Sequence, residues 1–85
     1  MFRISCSDDA ASRVVLLEGW LDAGALPALD EAAAQASGRK LVLDLAAVRW
    51  IDGPSAERIA ALRNAGAAIR SCSAFLERLL ALAER

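Results

Sequence analysis

Two carboxylates and a hydroxyl occupy the positions in this chain where chemistry would be expected. Asp52 and Ser55 lie in LVLDLAAVRWIDGPSAERIAAL, Leu41 to Leu62, between an apolar run and a segment of helical apolar spacing. Asp22 follows an earlier apolar run in the same way. A carboxylate pair is the smallest set for general acid–base work. A serine at a helix mouth is a candidate phosphosite, because the free N–H groups and the dipole there favour an anion. Yet the sequence has no histidine, no nucleophile beside an obvious base and no glycine-rich phosphate loop. Catalysis is not expected, and no catalytic residue is assigned. In the plainer reading Asp22 and Asp52 are capping acids, and Ser55 is a first-turn serine serving as cap with Pro54 fixing the helix entry. Asp44, at a strand end, reads as structural.

Two cysteines, Cys6 and Cys72, without histidine and without ligand spacing do not make a zinc site, and no metal or cofactor is expected. Cys72 reads as a buried structural thiol; the alternative is a thiol whose pKa is lowered by the helix that follows it. Trp20 and Trp50 read equally as interface anchors and as plugs for the end of a small core.

The totals narrow the classes. A chain of 85 residues with 56% hydrophobic residues holds one small domain, taken as residues 1–85, and much of its core is alanine, which buries little area. Eleven acids and ten bases give a formal charge of −1, with no run of one sign. That argues against a nucleic-acid surface or a polybasic membrane patch. No stretch has the length of a bilayer span and MFRISCSDDA lacks a signal-peptide core, so a cytoplasmic protein with reduced thiols is expected.

The elements that must position these residues follow from periodicity. MFRIS alternates and reads as a strand; CSDDAAS is a polar break; Arg13 to Trp20 is a second strand whose continuous apolar stretch implies cover on both faces. DAGALPALDEAAAQASG is a helix, with Asp22 as cap, Pro27 in the first turn and Gly38 as stop. RKLVLDL is the third strand and AAVRWIDG its connection to a helix, PSAERIAALRNAG. AAIRS is a short fourth strand. CSAFLERLLALAER is a closing helix, whose broad stripe of Phe75, Leu76, Leu79, Leu80, Leu82 and Ala83 is expected to be buried across the sheet, with a protein contact as the alternative. The order β-β-α-β-α-β-α predicts an α/β fold with a small mixed four-stranded sheet, parallel except for the first hairpin. Sites in such sheets lie beyond the carboxyl ends of the parallel strands. That rim gathers Asp22, Asp52, Ser71 and Cys72, with both tryptophans beside it.

GWLDAGALPALDEA followed by LVLDLAAVRWIDGPSAERIAAL resembles the STAS domain of bacterial anti-sigma-factor antagonists. Gly19, Leu21, Asp22 and Ala23 match the first part of the family pattern; Leu41, Val42, Asp44, Leu45, Val48, Ile51 and Asp52 match the second. The resemblance covers essentially the whole chain. It implies a regulatory binding module with a protein partner, a kinase-like anti-sigma factor, and a phosphorylatable Ser or Thr two residues after the aspartate. Here that position is Pro54, which takes no phosphate, and Ser55 stands one residue later. As alternatives the resemblance implies a subunit docked on the ATPase of a lipid-transport ABC system, or a small-ligand sensor. The expected partner-binding rim is Asp22, Trp50, Ile51, Asp52, Gly53, Pro54, Ser55, Glu57 and Arg58.

Overall fold

The computed structural model describes residues 1–83. Strands β1 (Phe2–Asp8) and β2 (Ser12–Leu21) form an antiparallel hairpin. Asp9 closes its turn: its Oδ1 accepts the N–H groups of Ala11 and Ser12 at 2.8 and 2.7 Å. A 3-10 turn (Ala23–Ala25) leads into α1 (Leu26–Ala34), with Pro27 in the first turn. Then come β3 (Lys40–Ile51), α2 (Gly53–Asn64), β4 (Ala68–Arg70) and α3 (Ala74–Ala83). The sheet order is β1-β2-β3-β4, with β2–β3 and β3–β4 parallel, so the α/β fold and the mixed four-stranded sheet are as expected.

The core takes one face of each central strand. Val15, Leu17 and Leu21 of β2 and Leu43, Leu45, Val48 and Ile51 of β3 are buried with Leu29, Ile59, Leu76 and Leu80 from the helices. Right-handed crossovers that step one way across the sheet put α1 and α2 on the same face. The alternate residues Val14, Leu16 and Val42 remain half-buried on the opposite face. Cover on both faces is therefore corrected to cover on one: every crossover steps the same way, so no helix returns to the other side.

A second correction concerns Ala46 to Gly53, read as a connection. β3 continues through it to Ile51. Between Leu16 and Glu18 of β2, β3 advances from Asp44 to Ala47; between Gly19 and Trp20 it advances from Val48 to Trp50. Each shift inserts one extra residue, a β-bulge. The inward side chains thus fall at 43, 45, 48 and 51, a spacing that breaks strand alternation without ending the strand.

The last helix also differs from expectation. Leu76 and Leu80 are buried, but Phe75 is 53% and Leu82 61% exposed. The sheet edge is too narrow to cover so broad a stripe. At the opposite end of the sheet, cations face helix C-termini: Arg39 donates to the carbonyls of Ala36 and Gln35, and Lys40 Nζ donates to that of Gly66 at 2.6 Å. No described helix is long and apolar enough to cross a membrane.

Candidate functional site

The carboxyl rim is organised by Asp52. Its backbone N–H donates to Leu21 O at 3.0 Å, closing the end of the β2–β3 pair. Its extended conformation makes it the N-cap of α2, and Oδ1 accepts the Ser55 N–H at 2.9 Å. Oδ2 accepts the Ala23 N–H at 2.9 Å, across 29 residues of chain. Burial, the largest single influence, pushes the Asp52 carboxyl up, but the bonds from Ser55 and Ala23 together outweigh it and hold it below the usual carboxylate range. Asp22 does the same work locally: it caps the 3-10 turn by accepting the Gly24 N–H at 2.9 Å. Both acids are thus tied into the backbone, as the capping reading expects.

Ser55 is 2% exposed, and its Oγ has no hydrogen bond of good geometry. Its approach to the Asp52 carboxylate adds only to keeping that acid ionised. The cap is Asp52, not Ser55, which corrects that reading. The rotation about the helix axis decides it: two positions into α2, Ser55 faces inward with Ala56, while Gly53 and Pro54 face solvent. The folded chain offers no hydroxyl at the helix mouth.

A groove of about 430 Å³ opens beside this turn. One wall is Ile51, Asp52, Gly53, Pro54, Ala56 and Glu57; the other is Leu79, Leu82 and Ala83 of α3. Five residues of the expected rim therefore meet in one place. The α3 wall is not among the expected rim residues, since burial is the default reading of its stripe and a protein contact the alternative. Its signal was present in the excess apolar width of the closing helix, more than a small sheet could bury. Arg58 is drawn away from the groove into an ion pair with Asp30 of α1, which stitches the two helices together.

Trp20 and Trp50 stand opposite each other in the β2–β3 register, on the uncovered face. Their ring centroids lie 5.6 Å apart with planes tilted by 38°, and they are 56% and 36% exposed. They are surface aromatics, not core plugs. Further along the rim, Asp44 accepts the Ala46 N–H at 3.0 Å and two bonds from Arg70. The Ala46 bond first, and Arg70 with it, hold its carboxyl below the ordinary range.

Cys72 is half-buried, and burial first, then Glu77, pushes its thiol up to about 11. This agrees with the reading of a buried structural thiol over one lowered by a helix start: Cys72 precedes the cap position of α3, and Ser73 takes that role by accepting the Leu76 N–H. Cys6 is exposed, and both thiols are free. Among the described residues no three His, Cys, Asp or Glu side chains gather to hold a metal ion. No family model matches the sequence, and no curated protein matches it.

Proposed function

We propose that the chain is a non-catalytic regulatory module of the STAS type, acting in the cytoplasm by binding a protein at the α2–α3 groove. The supporting observation is the groove itself. An apolar wall that includes the exposed Leu82 faces a polar lip at Asp52 and Glu57, beside the turn that carries the resemblance. Apolar area with a polar rim is what a protein interface uses. Each fully buried leucine contributes on the order of 2 kcal/mol or more. Glu57 sets the orientation of a partner. Arg58 supports the surface through Asp30 and is a positioning residue of α2.

The buried Ser55 and the proline at position 54 favour constitutive docking over a phosphorylation switch. The subunit of an ABC-transporter ATPase fits that behaviour better than an antagonist released by an anti-sigma kinase. Pull-down from the native host, read by mass spectrometry, tests this with wild type, Leu82→Asp and Ser55→Ala. The expected result is an ATPase retained by Ser55→Ala and lost by Leu82→Asp, with no phosphate on Ser55. A kinase-like partner, with phosphate on Ser55, overturns constitutive docking. A partner indifferent to Leu82→Asp moves the site away from the groove.

A further inference from the structure

β3 is much longer than the strand beside it. β4 pairs with it only at Val42, Leu43 and Asp44. Past Arg70 the chain turns away at Ser71, whose φ is +60°, and enters α3. On its other side β3 stays paired with β2 up to Ile51. Among the described residues, one edge of the strand beyond Asp44 therefore has no neighbouring strand. Asp44 takes the N–H of Ala46, which leaves Ala47 to Trp50 as the open segment. A shallow groove of about 350 Å³ runs along it, lined by Ala46, Ala47, Val48 and Arg49. The two alanine side chains are too small to screen the backbone.

Unpaired strand edges attract extended chains, and proteins usually blunt them with charges, proline, bulges or a covering element; β3 has its two bulges here, but no proline and no covering strand. This edge has one charge, Arg49, which is exposed and pairs with no acid among the described residues. The neighbouring cation, Arg70, is already held by Asp44 in two bonds. Next along the strand Trp50 offers a half-open aromatic surface on the uncovered face, backed by Trp20. The edge is therefore a short row of backbone groups, a free cation and an aromatic platform.

We propose that the free edge of β3, from Ala47 to Trp50, takes an extended segment of another protein as an added strand. Main-chain bonds supply affinity in this mode, and alternate side chains supply selectivity. The segment carries an acidic residue for Arg49 and an apolar residue for Trp50. This edge is separate from the α2–α3 groove and does not depend on it.

The probes are two blocked heptapeptides of alternating valine and threonine, one with a central glutamate and one with lysine, titrated into isotope-labelled protein and followed by amide NMR shifts. The glutamate probe is expected to move the amides of Ala47 to Trp50 and to bind at least about tenfold more tightly than the lysine probe. Arg49→Glu, at an exposed position, reverses that preference, and Leu82→Asp leaves it unchanged. Equal affinity of the two probes, no shift with either, or shifts confined to α2 and α3 overturns the proposal. So does a dimer in sedimentation that Arg49→Glu abolishes, since the occupant is then a second copy.

Discussion

Asp52 and Ala23, 29 residues apart, are joined by a 2.9 Å bond from the Ala23 N–H to Oδ2, while the other oxygen of the same carboxylate caps α2. One side chain thus fixes two of the three βα turns of the rim, those after β2 and β3. Asp52→Ala removes the cap and the cross-tie together and is expected to lower stability by about 2 kcal/mol, read as a shift in urea midpoint. The cost is expected to exceed that of Asp22→Ala, which removes a local bond only.

The same carboxylate makes stability depend on acid. Its value in the folded chain lies below the ordinary 3.8, as does that of Asp44. As the pH falls the unfolded chain binds protons first, so the contribution is fully present above about 4 and is lost as the pH drops through the folded values. Urea titrations between about pH 5 and pH 2 are expected to show this loss, with a shallower slope in Asp52→Ala. An unchanged slope would mean that the bonds at Asp52 do not favour its ionised form.

Ser55 separates burial from signalling. Ser55→Ala is expected within about 1 kcal/mol of wild type, because the hydroxyl it removes has no well-made bond. Ser55→Asp places a second carboxylate in the interior beside Asp52 and is expected to cost roughly 3 kcal/mol or more. Thermal melts of the two variants check this. Loss of partner binding in Ser55→Asp therefore reports unfolding of the helix mouth, and only the alanine variant is informative about phosphorylation.

Gly19 holds the hairpin against the first residue. Its φ is +84°, and a Cβ there would sit 2.6 Å from the Met1 carbonyl oxygen, which also accepts the Trp20 N–H at 2.9 Å. Gly19→Ala combines a left-handed backbone with a backbone collision and is expected to cost roughly 3 kcal/mol, measured by denaturant unfolding.

Cys72 is expected to resist alkylation. With its thiol raised to about 11, the thiolate is scarce at neutral pH, whereas Cys6 stands in solvent. Iodoacetamide at mildly alkaline pH, followed by peptide mapping, is expected to label Cys6 first and both cysteines equally in denaturant.

The sequence by itself determined what depends on near neighbours. Asp22 and Asp52 cap the turns they precede, Pro27 opens its helix, and the alternating and helical periods place most elements in order, because caps and amphipathic faces are set within a few residues. It also placed Ile51 to Pro54 and Glu57 on one surface, since they share one turn. The tertiary structure decided the rest. The full length of β3 rests on bulges that exist only against β2, and a side-chain spacing of three looks like a loop until the partner strand is present. The inward turn of Ser55, the bond from Ala23 to Asp52 and the α3 wall of the groove all join segments far apart in sequence. The open face and free edge of β3 arise from a sheet whose crossovers step one way and whose last strand is three residues long. Local chemistry fixes which groups need partners; the packing of distant segments decides which of them find one.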